Sequence, residues 1–249
     1  MALERRDVPA DVPNMATPND EGGTGTGSGQ VDSGTAGRSA QREYERRRAQ
    51  RDSRIRDAHP RLGGVILALT DEPQSTSAWA RGARGEEVLG RRLDALADHG
   101  VRLLHDRRIP RTRANIDHIA VGPSGVVVID AKRYRGRPAL RVEGGLLRPR
   151  TSRLMVGSRD CTTLVQGVHR QTALVRGALE RAGLADIPVH AMLCFVDADW
   201  PLIGGAFVIE GVDVLWPKKA IERLVSPGPI AASRIDETHR TLAMTFPVA

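Results

Sequence analysis

Ile116–Lys132 reads IDHIAVGPSGVVVIDAK. Val126, Val127, Val128 and Ile129 form an unbroken β-branched run, the composition of a strand covered on both faces. Gly122-Pro123-Ser124-Gly125 has turn chemistry, because proline presets φ and glycine permits unusual dihedrals. The segment therefore reads as a β-hairpin. Folded symmetrically about Pro123-Ser124, it sets Asp117 opposite Asp130. Directly opposed residues of an antiparallel pair have Cβ atoms about 4.5–5.5 Å apart. Two carboxylates at that distance repel, and a buried strand rejects both. A bound divalent cation resolves the conflict, since a hard metal needs converging oxygens. Strand alternation puts Lys132, two residues on, on the same face as Asp130.

The pattern outlines metal-dependent cleavage of a phosphodiester. Carboxylates hold Mg²⁺ or Mn²⁺, and the metal lowers the pKa of a bound water and shields phosphate charge. A lysine beside them steers the water or stabilises the transition state. The competing reading has both aspartates at frayed strand ends and a solvated lysine. Placement across a turn, inside an apolar run, favours the chemistry. His118 alternates away from Asp117, which assigns it to packing rather than to metal ligation.

Upstream, a helix is expected from Trp79 or Arg84 to Asp98, with an apolar stripe of Leu89, Leu93, Leu96 and Ala97. Glu86, three residues before Leu89 and seven before Leu93, shares that stripe, whereas Glu87 is turned away by roughly 100°. An acid on a core-facing stripe needs a partner, and a shared metal would serve. The alternative is a first-turn acid favoured by the helix dipole. Gly100 closes the helix in the usual C-terminal position. Downstream, Cys161–Arg181 reads as a second helix with Leu164, Val168, Gln171, Val175 and Ala178 on one face. Gln171 is thus an amide on an apolar stripe; the alternative to a site role is a buried amide bonded to backbone.

Three pieces carry a family resemblance: GARGE at Gly82–Glu86, IDHIAV at Ile116–Val121, and VVVIDAK at Val126–Lys132, with Gly136 shortly after. In that order they resemble the NERD (nuclease-related) domain, a branch of the PD-(D/E)XK nuclease-like superfamily, over about Ala80 to Glu180. The resemblance implies a restriction-endonuclease-like fold. Its G-x-x-G-E pattern points to Glu86, and related folds place a Gln from the second helix near the metal, which singles out Gln171. The implied metal ligands are Glu86, Asp117 and Asp130, with the Ala131 carbonyl as a further oxygen. Lys132 would assist the water and Gln171 would orient it.

The chain has 249 residues and a formal net charge of +7, with a sequence pI near 10.3. That balance implies an anionic partner, nucleic acid first (DNA ahead of RNA) and anionic membrane second. Arg107, Arg108, Arg111 and Arg113 precede the hairpin, and Arg133 and Arg135 follow it; these six are the expected contacts to a nucleic-acid backbone. Cys161 and Cys194 show no metal-binding or paired spacing, so a reducing, cytoplasmic setting is expected. Met1–Ala10 has no apolar stretch of the kind a signal peptide needs. No run approaches the ~18–20 apolar residues of a membrane span. No Walker-type G-x-x-x-x-G-K pattern occurs, so ATP-driven movement on DNA is not expected of the chain itself.

Residues 1–40, rich in Gly, Pro, Ser and Thr, read as a disordered tail. Residues 41–58 read as a basic helical arm, whose Gln41–Arg56 segment offers a contact for nucleic acid or for an anionic membrane surface. A connector spans 59–78, with an apolar patch at Leu62–Leu69, and Trp79 is expected in the core. The nuclease-like domain occupies 79–249, with core motifs at 82–180. Within it, strands are expected at Val101–Leu104, Pro188–Val196 (parallel), Ala206–Ile209 and Val212–Leu215. A hairpin is expected over Ala139–Val142 and Leu146–Leu147, with helices from Pro217 and over Ala231–Leu242. Tyr134 is assigned to covering the sheet edge.

The expected architecture is an α/β, restriction-endonuclease-like αβα sandwich with a central mixed β-sheet, preceded by a disordered tail and a basic helix. The expected activity is a metal-dependent nuclease or nuclease-like DNA-processing function. The alternative is a non-catalytic nucleic-acid-binding or membrane-proximal module that retains the fold.

Overall fold

The hairpin forms as its composition requires. In the computed structural model, which describes residues 31–62, 64, 67, 74–145, 148–202 and 205–249, β2 (Asn115–Gly122) and β3 (Gly125–Lys132) pair antiparallel. Gly122 faces Gly125 and Val121 faces Val126, which leaves Pro123-Ser124 as the turn. Gly125 has φ +118°, and a Cβ there would lie 2.5 Å from the Pro188 carbonyl oxygen. No other residue fits that corner. The pairing runs back to His118 against Ile129; one step further sets Asp117 beside Asp130.

β1 (Arg102–Arg108) lies antiparallel on the outer side of β2. On the other side, β3 pairs in parallel with β7 (Val189–Phe195). β9 (Val212–Leu215) continues in parallel, and β8 (Phe207–Ile209) closes the edge antiparallel. The six-stranded order is β1-β2-β3-β7-β9-β8. This is the mixed sheet expected, with β3 near its middle and buried from Gly125 to Ala131.

Two separate apolar clusters fill the two faces of the sheet. Val126 and Val128 join one; Val127, Ile129 and Ala131 join the other. The second is capped by α2 (Gln74–Asp94), through Leu89 and Leu93, and by α4 (Pro217–Leu224). The first is capped by α3 (Thr162–Arg181), through Val165, Val168 and Val175, and by α5 (Ala232–Thr245). Burying a Val or Ile side chain contributes about 1.5–3 kcal/mol, so the run Val126–Ile129 belongs at the centre of an αβα sandwich. α2 ends four residues earlier than expected. A 3-10 turn at Ala97–His99 follows it, and Gly100 sits at φ +73°.

A second, three-stranded antiparallel sheet joins β4 (Pro138–Gly145), β5 (Arg148–Val156) and β6 (Arg159–Asp160). β4 starts as expected, but its partner runs from Arg148; the expected Leu146–Leu147 lies outside the described residues. So do residues 1–30 of the expected tail, most of the Leu62–Leu69 patch, and 71–73 of the connector.

The N-terminal segment departs from expectation where it is described. Val31–Ala249 form one compact unit, and residues 31–40, assigned to the tail, are docked. The Ser33 carbonyl accepts from the His105 amide at 2.7 Å. Gly34 and Gly37 both have φ +75°; a Cβ would sit 2.3 Å from the His105 carbonyl oxygen at the first and 2.6 Å from that of Ala83 at the second. The small residues that made the segment look disordered are what let it press against β1 and α2. α1 (Arg38–Ala58) packs on α2 and buries Ala40, so the basic helix is not a free arm. Trp79 is 39% exposed rather than in the core, and its ring lies 5.4 Å beneath the Arg47 guanidinium. Tyr134 lies edge-on to Phe195 at the end of β7, an interior strand, and so does not cover the edge of the six-stranded sheet. Among the described residues no helix is long and apolar enough to cross a membrane.

Candidate active site

β2 and β3 bring their acidic residues together where the hairpin strands open. Asp117 accepts a hydrogen bond from the Ala131 amide at 2.9 Å. Asp130, 6% exposed, is in direct contact with the Lys132 ammonium. That ammonium lies 4.0 Å from the Asp117 carboxylate and donates to the Ala131 carbonyl at 3.3 Å. Glu86 enters from α2, one turn before Leu89.

These groups perturb one another. Burial pushes the Glu86 carboxyl up to about 7; Asp106 and Asp130 add to this and Lys132 opposes it. Burial also raises Asp117 well above the carboxylate range, with Glu86 and Asp130 adding. Burial works against the charge of Lys132, but Asp130, Asp117 and Glu86 outweigh it and hold the ammonium above its usual range. One lysine thus faces three carboxylates.

Gln171 donates from Nε2 to the Asn115 carbonyl at 3.4 Å, two residues along β2 from Asp117, while its Oε1 is buried with no partner. The five expected site residues therefore fall in one region. Among the described residues, no three His, Cys, Asp or Glu side chains are arranged to hold a metal ion; Lys132 is the cation in contact with Asp130. The donor chemistry nonetheless fits a hard divalent ion. The donors are all oxygen, their charge exceeds that of the one ammonium, and two carboxyls are pushed toward their neutral forms by burial first and then by one another's charge.

The arginines divide. Arg108, Arg111, Arg113 and Arg135 are exposed. Arg133 is ion-paired with Asp197. Arg107 does not belong with them: it is 2% exposed and donates to the carbonyls of Phe246 (2.6 Å), Asp32 (2.8 Å) and Ala243 (2.9 Å). It satisfies carbonyls left unpaired at the end of α5, and its burial keeps it from a nucleic acid.

Two features escaped the sequence reading. Asp106 falls opposite Asp117, between the pairs His105–His118 and Arg107–Ile116. It has φ +49° and is 1% exposed. It accepts from the Ser39 amide at 2.6 Å and from Asn115 Nδ2 at 3.0 Å. Extending the first strand from Leu104 to Arg108 would have revealed it. The second is a chain on the other face of β2, buried at its two histidines and exposed at Asp94. Asp94 Oδ1 lies 2.8 Å from His105 Nε2, and His105 Nδ1 lies 2.8 Å from His118 Nδ1. His118 Nε2 is buried without a partner.

A mixed sheet between helical layers, with acids and a lysine gathered on its central hairpin, makes the domain an αβα sandwich. Residues 81–196 match the family model described as the nuclease-related domain, NERD, a stretch that runs from within α2 to just past the end of β7. No curated protein and no solved structure matches the chain.

Proposed function

We propose that the chain hydrolyses phosphodiester bonds of nucleic acid in a metal-dependent reaction, with DNA as the first substrate to test. The observation that carries this reading is the placement of Asp117 and Asp130 on adjacent strands with Lys132 between them and Glu86 in their field. Glu86, Asp117, Asp130 and the Ala131 carbonyl are the oxygens that would hold Mg²⁺ or Mn²⁺. Once bound, such an ion activates water and shields phosphate charge. Lys132 Nζ neutralises charge on the reacting phosphate. The unpartnered Gln171 Oε1 would accept a hydrogen bond from the attacking water and so orient it. Two free, buried cysteines fit a reducing, cytoplasmic setting.

A second reading is a nucleic-acid-binding module without turnover. The Lys132–Asp130 contact favours it, because the pair already neutralises itself in this arrangement. Cleavage of single- and double-stranded DNA and RNA with Mg²⁺ or Mn²⁺ separates the two. Wild type and Asp130→Ala/Lys132→Ala, purified identically, run side by side. The nuclease reading expects the double variant to lose at least about 100-fold in rate. Equal cutting by both proteins reports a contaminant. Binding without cutting by either leaves the module.

A further inference from the structure

Next to the acidic cluster, a cavity of about 330 Å³ is lined by Ser39, Arg42, Arg108, Thr112, Arg113 and Asn115, with Ala249 at its rim. Three arginines line it and no acidic side chain does. Arg108 and Arg113 are exposed, and neither has an ion-pair partner among the described residues. Arg42 donates to the terminal main-chain oxygen of Ala249, the last residue of the sequence. Arg108 and Arg113 repel across the cavity, and an added anion removes that conflict. Planar guanidinium forks match phosphate oxygens in pairs.

The position of the cavity decides which phosphate. Asn115 forms its wall and lies two residues before Asp117 on β2, so the cavity is about 6–7 Å along the strand from the acidic cluster. Asn115 and Ser39 are both bonded to Asp106, whose charge acts on Glu86. The cavity is also composite: Ser39 and Arg42 come from α1, and Arg108, Thr112, Arg113 and Asn115 come from the β1–β2 connection and its flanks.

We propose that this cavity is a subsite for a backbone phosphate of the nucleic-acid strand, adjacent to the phosphate that is cut, and that α1 supplies part of it. The inference rests on the proposed function for its ligand but is tested apart from cleavage. Binding of a short DNA strand is measured on the full chain in EDTA, so that nothing is cut, over a range of salt concentrations. Arg108→Ala/Arg113→Ala should weaken binding about tenfold and lower the slope of log affinity against log salt by about one, the loss expected for one phosphate contact. Arg42→Ala should move both quantities the same way. Arg150→Ala/Arg240→Ala, which removes two exposed arginines outside the cavity, should leave the slope unchanged. Melting curves check that each variant folds, and Arg113→Glu, a loop substitution, provides a second test with a larger expected loss.

The subsite is overturned if the cavity pair behaves like the control pair, or if wild type does not bind DNA. Inorganic phosphate bound by wild type and lost in the cavity pair, with DNA affinity unchanged, makes it a free-phosphate site and also overturns the assignment to the strand. A chain that binds DNA through these arginines and never cuts removes the nuclease reading and leaves the subsite standing. Cutting with an unchanged salt slope does the reverse.

Discussion

Asp117 and His118 are neighbours in β2, yet alternation sends them to opposite faces of the strand and into opposite electrostatic surroundings. Asp117 meets Asp130, Lys132 and the field of Glu86. His118 meets His105 and, through it, Asp94. Burial acts on both and drives each toward its neutral form: it raises the acid and lowers the base. The difference lies in what else is present. The acidic face holds a surplus of like charge around one ammonium, which an added cation would relieve. The histidine face closes on itself. If Asp94 takes the His105 Nε2 proton bond, His118 Nδ1–H donates to His105 Nδ1, and both rings are satisfied as neutral imidazoles except at His118 Nε2. One face carries unbalanced negative charge, and the other pairs its polar groups apart from His118 Nε2.

The strongest way to break the acidic face is to remove its cation. Lys132→Met leaves three carboxylates facing one another and should destabilise the fold by about 3 kcal/mol at pH 8. The loss should shrink at pH 5, where the raised acids are protonated. Urea unfolding at both values checks this; an equal loss at pH 5 and pH 8 would argue against charge as the cause.

Glu86 sharpens the contrast through the sign of a pH dependence. Its folded pKa of about 7 exceeds its ordinary 4.5, so the native state binds more protons than the unfolded state in that window. Stability contributed by the protonated acid is present below about 4.5 and is lost as the pH rises through about 7. Glu86→Gln should abolish that decline and leave the variant about 2 kcal/mol better off, relative to wild type, at pH 8 than at pH 4.5. Parallel stability profiles would sink the idea.

The histidine face should slope the other way. His105 and His118 are lowered below 6.5, by burial first and then, for His118, by the charge of His105 and Lys132. Below that pH the unfolded chain takes protons that the native state refuses, so stability is lost on acidification. His118→Asn should reduce that acid loss by about 1–2 kcal/mol at pH 5. Denaturation curves from pH 5 to 7 decide it, and an unchanged acid limb would count against a neutral His118.

The smallest effect is linkage to the metal itself. Mg²⁺ should raise the melting temperature by about 2–4 °C at pH 8. It should do less at pH 6, where protons compete, and nothing in Asp130→Asn. A shift that survives in Asp130→Asn would place the ion elsewhere.

Much of this was legible in the residues. The hairpin register, the burial of β3 and the approach of Glu86 follow from a two-residue turn and from periods of 2 and 3.6, all of them local. Arg107 shows where such reasoning stops. In sequence it is one of four arginines before the hairpin, indistinguishable from Arg108. Its fate is set by the carbonyls at the end of α5, as far as 139 residues away. Trp79 was likewise read as core because it is large and apolar, but its surroundings come from α1. Residues 31–40 have the composition of a disordered chain; the same glycines, set against β1 and α2, permit contacts that any Cβ would block.

The sequence by itself determined the mixed α/β layering, the central strand, the facing of Asp117 and Asp130 and the position of Lys132, because neighbours along a strand or helix leave little choice. The tertiary structure alone decided that Ser39 reaches Asp106 across 67 residues, that exposed Asp94 joins the buried His105 and His118 in one chain, and that Arg42 shares a cavity with Arg108 and Arg113. Those contacts depend on which elements dock, and docking is settled by the summed burial of whole faces rather than by any local pattern.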